Sequence, residues 1–183
     1  MQLSAQGEEL REKLLVFMDE CVYPAEPVFE EQMKAAGTPK HHPQVIEDLK
    51  TEARSRGLWN LFLPHKTEWT DGLSNFDYAP LAEISGRSIH LAPEAMNCSA
   101  PDTGNMELLT EFGTPEQQEE WLRPLLDGEI RSCFSMTEPD VASSDATNVE
   151  TSIAKDGDEY IINGRKWWSS GAGRDSCKFI VRR

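Results

Sequence analysis

The amino-acid sequence lacks the patterns that mark membrane-spanning and nucleic-acid-binding proteins. No apolar run approaches the roughly 20 residues that a membrane helix needs. Basic residues are scarce, since 18 Lys and Arg stand against 32 Asp and Glu and the formal net charge is −14. A strongly acidic chain has few cations with which to contact phosphates. The sequence therefore predicts no transmembrane segment and no nucleic-acid partner.

Cysteine and histidine are also few, with four residues of each type among 183. The cysteines are scattered, without a CxxC pair, which favours reduced thiols over a disulfide framework. The histidines show no metal-ligand spacing, and His41 and His42 are adjacent. The opening residues, Met1–Ser4, resemble neither a signal peptide nor a transit peptide. We therefore expect an intracellular protein with no metal site and no visible targeting signal.

Helical periodicity dominates the first part of the sequence, and we predict an all-α domain over residues 1–130. Apolar residues recur at helical spacing from Leu10 to Cys21. Pro24 and Pro27 are expected to end or kink that helix. A cap, a first-turn proline and a glutamine at the third position in Thr114–Gln117 predict the start of a later helix.

The pattern changes near residue 131, where short stretches rich in β-formers alternate with turn residues. Asn163-Gly164 is a strong two-residue hairpin signal, and Asp156-Gly157 marks a second turn. Alternation along a strand would place Trp167 and Trp168 on opposite faces. We predict that residues 131–183 form the first part of an antiparallel β-barrel domain. The predicted strands are Arg131–Thr137, Val149–Ala154, Tyr160–Ile162, Arg165–Trp168 and Lys178–Val181.

The sequence ends within an apolar, strand-like run, Ile180–Arg183. Natural domains seldom stop inside such a run, which predicts a truncated product or a fragment. The fold class expected from these patterns is α+β, with a helical domain followed by part of a β domain.

Three polar and aromatic segments of the β part are candidates for chemistry. Phe134–Pro139 runs from a strand into a turn, Ser143–Thr147 offers hydroxyl and backbone donors, and Trp167–Gly173 combines aromatic, hydroxyl and glycine residues. Such a set suits a flat polar ring system such as a flavin. The alternative is that the tryptophans are core residues and the serines form an ordinary loop, and composition alone favours that alternative.

These segments resemble the signatures of the flavin-dependent acyl-CoA dehydrogenases. Phe134–Pro139 followed by Ser144-Asp145 resembles the family motif of an aromatic residue, Thr-Glu-Pro and a later Ser-Asp. Ile162–Ser170 looks like the motif Asn-Gly-x-Lys-x-Trp-x-[Ser/Thr], and Gly113–Gln117 is similar to the start of the helix that leads into that site. The form Asp140–Asp145 resembles the branch numbered ten and eleven in animals and its bacterial relatives.

The resemblance implies FAD as the cofactor and an acyl-CoA as the substrate. By the family pattern, the Thr137 hydroxyl would donate to the polar edge of the flavin ring, Trp168 would pack beside the ring, and Ser169–Ser170 would hydrogen-bond its edge. Ser143 and Ser144 would hold the pyrophosphate or the acyl-CoA chain, and Ser144 is the candidate for substrate binding. The implied FAD-binding residues are Phe134, Met136, Thr137, Ser143, Ser144, Trp168, Ser169 and Ser170.

The family reaction removes an α-proton from an acyl thioester and passes the β-hydride to the flavin, giving a trans-2-enoyl-CoA, as in fatty acid β-oxidation. The family base is a glutamate in a C-terminal helical bundle that this sequence lacks. No catalytic residue is therefore expected here, and the chain alone is expected to be inactive. Glu138 is expected to be structural, held between Thr137 and Pro139.

The resemblance also implies partners and a compartment. Family members form homodimers or tetramers and pass electrons to an electron-transfer flavoprotein. They are mitochondrial or peroxisomal in eukaryotes and cytoplasmic in bacteria.

Two other interpretations stay open at the level of sequence. An acyl-CoA oxidase shares the fold and the flavin chemistry but passes electrons to oxygen, and the visible motifs favour the dehydrogenase. A non-catalytic truncated or splice product that binds a partner is favoured by the abrupt end at Arg183. Oxygen consumption without an added acceptor separates the oxidase, and the gene sequence beyond Arg183 tests the fragment.

Overall fold

The chain divides into two units, Met1–Gly128 and Glu129–Arg183, and a computed structural model describes residues 2–182. The first unit is helical and the second contains two small sheets, so the predicted α+β class is confirmed. Among residues 2–182, no helical bundle follows the sheets. No helix in this described range combines the length and the apolar character that crossing a membrane requires.

The helical unit contains eight α-helices in the part of the chain that the structure describes. Two π-helical segments, Met18–Val22 and Gln118–Leu122, and a short 3-10 segment, Gly86–Ser88, join some of them. The helices are α1 (Ala5–Phe17), α2 (Tyr23–Ala36), α3 (Gln44–Ser55), α4 (Asn75–Ser85), α5 (Ala92–Ala95), α6 (Asp102–Phe112), α7 (Pro115–Gln117) and α8 (Arg123–Leu126).

The helix of the first 36 residues does not end at its prolines. It continues from α1 through the π segment Met18–Val22 into α2, where Pro24 lies in the first turn and Pro27 inside the helix. Proline has no N–H, and its ring collides with the carbonyl four residues earlier in a regular α-helix. A wider π turn directly before Pro24 changes the hydrogen-bond register there. The expected end of the helix is therefore wrong, and a π segment lies immediately before Pro24 instead.

The capping box predicted at Thr114 is present. The Thr114 hydroxyl accepts a hydrogen bond from the Gln117 N–H at 3.3 Å, and the Gln117 side chain accepts one from the Thr114 N–H at 3.0 Å. Both bonds satisfy backbone donors that the helix itself leaves without partners.

The start of α1 is held against the start of α4 by one carboxylate. Asp77 accepts hydrogen bonds from the Ser4 N–H at 2.9 Å, the Ser4 hydroxyl at 3.0 Å and the Ser74 hydroxyl at 2.9 Å. Ser4 and Ser74 in turn cap α1 and α4. A side chain on Gly7 would place its Cβ 2.9 Å from the Asp77 Cγ, so this junction requires glycine.

The last turn of α8 is capped by side chains from distant parts of the helical unit. Asn97 is fully buried and donates to the carbonyls of Leu125 at 3.0 Å and Leu126 at 3.2 Å. Asn60 and Trp59 also donate to the Leu126 carbonyl, at 2.9 and 2.8 Å. These donors satisfy carbonyls that a helix end leaves without partners, and so fix where the helical unit ends.

Within its described residues, 129–182, the second unit contains two separate two-stranded sheets. One sheet is an antiparallel hairpin that turns at Gly157-Asp158, so that Asp156 pairs with Glu159. In the other sheet the strands are parallel, and Phe134 pairs with Val181. The strands are β1 (Arg131–Ser135), β2 (Ser152–Asp156), β3 (Glu159–Asn163) and β4 (Cys177–Arg182), with β2–β3 antiparallel and β1–β4 parallel.

The hairpin predicted at Asn163-Gly164 is wrong, because β3 ends at Asn163 and Arg165–Trp168 forms no strand. The second predicted turn, at Asp156-Gly157, lies where the hairpin forms, although the two turn residues are Gly157 and Asp158. Gly164 has φ 148° and lies against Thr151, whose Cα would be 2.8 Å from a Cβ at that position. Glycine is therefore needed there for close backbone approach rather than for a two-residue turn.

Candidate functional site

The end of β1 lies beside the segment that follows β3. The Trp167 N–H donates to the Thr137 carbonyl at 3.0 Å. The Ser135 and Ser169 hydroxyls are 2.7 Å apart and hydrogen-bonded. Two sequence motifs that are about thirty residues apart in the chain are thereby held side by side in one unit.

A buried ion pair joins the same two segments. Lys166 Nζ donates to Glu138 Oε1 at 2.8 Å and to the Met136 carbonyl at 2.8 Å. The Lys166 and Glu138 side chains are only 7% and 6% exposed. Because both charges are paired and hydrogen-bonded, the pair meets the conditions under which charges are found in protein interiors.

The Glu138 carboxylate also organises the chain that leads into β2. It accepts the backbone N–H groups of Glu150 at 2.8 Å and Thr151 at 2.9 Å. The Lys166 ammonium, together with these donors, lowers the pKa of Glu138 from 4.5 to about 2. The sequence-based expectation named only the neighbours Thr137 and Pro139. The main partners of Glu138 are instead distant in the chain. A carboxylate with this pKa stays ionised at neutral pH and is a poor proton acceptor.

The serine pair expected near the pyrophosphate divides into one buried and one exposed residue. Ser143 is buried, and its hydroxyl oxygen accepts the Glu138 N–H at 2.9 Å. Ser144 is exposed. Asp145 accepts the Thr147 N–H at 3.0 Å and the Thr147 hydroxyl at 2.7 Å, which fixes the following turn. Ser144 is thus the freely accessible hydroxyl of the pair.

The two tryptophans contact each other instead of facing opposite sides of a strand. Their ring centroids are 5.6 Å apart, and the ring planes meet at 54°. Trp168 has φ 53° and is 77% exposed, whereas Trp167 is 44% exposed. The expected alternation is wrong because this segment is not a strand. A bulky residue at positive φ is a backbone outlier, and neither ring belongs to the core.

The predicted flavin residues are distributed over these connected segments. Phe134 lies in β1, and Met136 and Thr137 follow it, all of them half-buried. Ser169 is half-buried and shares a hydrogen bond with Ser135, while Ser170 is exposed. The structure brings the Thr137 and Ser169 segments together through the two hydrogen bonds between them.

The donor set of this junction fits a planar polar ring. Hydroxyl groups of Thr137, Ser169 and Ser170 and the exposed indole of Trp168 all belong to the two joined segments. An exposed aromatic ring beside several hydroxyl donors suits the flat face and polar edge of a flavin. The residues present therefore fit FAD. Across residues 2–182, no group of three or more His, Cys, Asp or Glu side chains is arranged to hold a metal ion.

Sequence reasoning missed the residues that hold these segments together. Lys166 and Ser135 lie inside the recognised motifs but were given no role. The usable signal was the pairing of opposite charges in two short motifs, because a Lys and a Glu that both become buried must find partners.

Two family models match most of the chain. The model of the acyl-CoA dehydrogenase N-terminal domain matches residues 4–129, and that of the middle domain matches residues 133–183.

Similar proteins carry the same family name. A "probable acyl-CoA dehydrogenase" of Mycobacterium tuberculosis is 56% identical over 180 residues, covering 98% of this chain and 43% of the relative. Acyl-CoA dehydrogenase family member 11 of Gallus gallus is 52% identical over 181 residues, covering 97% of this chain and 23% of the relative. The chain thus spans less than half the length of these relatives.

Solved structures match as well. A Mycobacterium abscessus protein described as an acyl-CoA dehydrogenase superposes with a TM-score of 0.90 at 50% identity, covering 100% of this chain and 46% of the other. A glutaryl-CoA dehydrogenase of Mycobacterium smegmatis, solved in complex with FADH2, superposes with a TM-score of 0.65. It is 23% identical and covers 91% of this chain and 39% of its own, so this second match shows the fold alone.

These matches confirm the predicted resemblance, including the likeness to the branch numbered ten and eleven. The chain belongs to the acyl-CoA dehydrogenase family, with the N-terminal domain over residues 4–129 and middle-domain sequence over residues 133–183.

Proposed function

We propose that this chain provides one wall of an FAD site in an acyl-CoA dehydrogenase that converts an acyl-CoA into a trans-2-enoyl-CoA. Family membership and the fold support the reaction class. The single observation that carries the assignment to these residues is the 3.0 Å hydrogen bond from the Trp167 N–H to the Thr137 carbonyl. It joins the two motifs that a flavin would have to contact together.

When bound, FAD supplies the acceptor for the hydride that leaves the acyl β-carbon. The role of this chain is to bind and orient that group. The Thr137, Ser169 and Ser170 hydroxyls are donors for its polar edge, where fixed donors stabilise negative charge. Phe134, Met136 and Trp168 supply apolar contact. Ser143 and the exposed Ser144 follow on the same chain, and Ser144 is the residue proposed to touch the acyl-CoA.

No carboxylate of this chain is assigned the role of base. Glu138 is the carboxylate nearest the junction in sequence, but its ion pair with Lys166 and its pKa of about 2 leave it a weak base. The proton acceptor is proposed to lie outside these 183 residues. The 183-residue chain is therefore proposed to be inactive by itself.

Partners and setting follow from the family as proposals. An electron-transfer flavoprotein would accept the electrons, the protein would work as a homodimer or tetramer, and the reaction would serve fatty acid β-oxidation. The proposed location is intracellular, mitochondrial or peroxisomal in a eukaryote and cytoplasmic in a bacterium.

The proposal is tested by titrating the chain with FAD and following flavin absorbance and tryptophan fluorescence. Trp168→Ala is expected to weaken FAD binding more than Trp167→Ala, because Trp168 is the more exposed ring. Thr137→Val keeps the side-chain shape and removes one donor. Losing one hydrogen bond typically costs about 0.5–1.5 kcal/mol, and the loss of FAD affinity is expected within or below that range because Ser169 and Ser170 also offer hydroxyl donors. Equal losses of FAD affinity from both tryptophan variants would contradict the assignment of Trp168 to the flavin site.

A further inference from the structure

The buried Glu138–Lys166 pair connects three segments that are distant in sequence, two of which carry candidate flavin residues. Glu138 receives the N–H groups of Glu150 and Thr151, while Lys166 also donates to the Met136 carbonyl. The two side chains thus join the end of β1, the entrance of β2 and the segment after β3. We propose that this pair is a positioning device that holds Trp168 and Thr137 in their flavin-facing arrangement, an inference that rests on the proposed function.

Stability alone does not account for the pair. Taking two charges out of water carries a large desolvation cost, and well-packed apolar residues at such positions are often as stable or more stable. What an ion pair adds over apolar packing is a fixed direction, since each donor and acceptor must meet a particular partner. Here every partner of the pair lies on a segment that leads into the candidate site or follows it.

The unfavourable backbone conformation of Trp168 is one feature that the pair would stabilise. Its φ of 53° is unfavourable for a bulky aromatic residue. Such a conformation persists only when the surrounding structure determines it from both sides. On one side are the Lys166 ion pair and the Trp167 N–H bonded to Thr137, and on the other is the Ser169 hydroxyl bonded to Ser135. Without the Lys166 anchor, the first side keeps only the Trp167 N–H bond to Thr137.

The first test needs no cofactor. The rings of Trp167 and Trp168 lie close enough, at 5.6 Å, to give a coupled circular-dichroism signal, which is isolated by subtracting the spectrum of Trp168→Phe. We expect Glu138→Gln and Lys166→Met each to abolish this signal in the 183-residue chain. Glu159→Gln and Lys155→Met remove the same charges from exposed hairpin positions of the same unit and are expected to keep it.

The second test is FAD affinity, measured by titration of the same variants. Glu138→Gln and Lys166→Met are expected to raise the Kd for FAD about tenfold or more, the size that losing a supporting partner has at metal sites. The double variant is expected to be no worse than the weaker-binding single variant, because both substitutions break one device. The two hairpin controls are expected to bind FAD as the unmodified chain does.

Folding is checked separately, by hydrogen exchange of the β2–β3 amides. If Glu138→Gln exchanges as an unfolded unit, Glu138→Asp replaces it, since it keeps the charge and shortens the reach by one methylene. Glu138→Asp is then expected to lose the tryptophan signal while its hairpin stays protected.

The outcomes separate this inference from the proposed function. Loss of the tryptophan signal in the pair variants supports the positioning role even where the chain alone binds no FAD, so this test does not depend on the flavin assignment. Folded pair variants that keep the tryptophan signal overturn the positioning role. So do variants that bind FAD with unchanged affinity when the unmodified chain binds it.

Discussion

The two units of this chain are stabilised by different physical means. Among the described residues, every fully buried hydrophobic side chain except Cys133 lies in the helical unit. The buried residues of the β unit are otherwise polar or charged. They are Arg131, Ser132, Ser135, Glu138 and Ser143. A sheet pair this small has little apolar area to bury, so hydrogen bonds and the buried Glu138–Lys166 ion pair contribute to fixing its shape instead.

Charge follows the same division. The helical unit carries 10 Lys and Arg against 23 Asp and Glu, whereas the β unit carries 8 against 9. Nearly all of the net charge of −14 therefore belongs to the unit with the hydrophobic core. The unit that carries the candidate flavin site is close to neutral, which would favour the proposed binding of a cofactor with an anionic pyrophosphate.

Removing an apolar side chain from the helical core is expected to have the largest effect. Phe17 is fully buried, and Phe17→Ala is expected to cost about 3–5 kcal/mol of unfolding free energy through lost burial and a cavity. Val16 lies next to it in α1 and is 47% exposed, so Val16→Ala is the matched control, expected within about 0.5 kcal/mol. Urea unfolding followed by far-UV circular dichroism measures both. A similar loss for the two variants would mean that the core does not dominate this unit.

Removing the polar cap of α8 is expected to cost less unfolding free energy than removing a core side chain, but more than changing a surface residue. Asn97→Ala removes donors to two buried carbonyls, for which about 1–3 kcal/mol is expected. Asn97 also has φ 54°, so Asn97→Gly separates backbone strain from hydrogen bonding. Equal losses from both variants identify the hydrogen bonds as the cause. Full recovery in Asn97→Gly would instead identify the backbone.

How far the sequence predicts this structure depends on how local each signal is. The cap at Thr114 was predictable because both of its partners lie within one turn of helix. The conformation after Asn163 was not predictable, because an Asn-Gly dipeptide can form a hairpin turn or allow close approach of another segment. Here Thr151 occupies the space beside Gly164, so the glycine allows close approach.

The candidate site shows the same limit. Motifs identified its residues, but their arrangement depends on Glu138, whose partners Glu150, Thr151 and Lys166 are 12, 13 and 28 residues away. No period or dipeptide encodes such distances. The strand predicted over Trp167 and Trp168 failed for this reason, because tertiary bonds overrode the local β-propensity.

Acid is expected to weaken the β unit through Glu138. Its folded pKa of about 2 lies below the ordinary 4.5, so its stabilising contribution is complete above pH 4.5 and is lost as the pH falls toward 2. The difference in unfolding free energy between the unmodified chain and Glu138→Gln should therefore be constant above that window and disappear within it. Tryptophan fluorescence during denaturation at a series of pH values measures this difference. A difference that does not change with pH would contradict the role of the charge.

The smallest effect is expected from an exposed ion pair of the same length. Arg123 and Glu119 are 2.8 Å apart in the helical unit, as Lys166 and Glu138 are in the β unit, but their side chains are 51% and 63% exposed. Water screens the exposed pair, so Glu119→Gln is expected to cost only about 0.3–0.5 kcal/mol. The same substitution at Glu138 leaves a buried ammonium without its anion and two backbone donors facing an amide. Thermal unfolding of both variants, followed separately for the two units by hydrogen exchange, compares one chemical change in two environments. Equal effects would show that the distance between the charges, rather than their burial, sets the strength of these pairs, and the contrast between the two units would then fail.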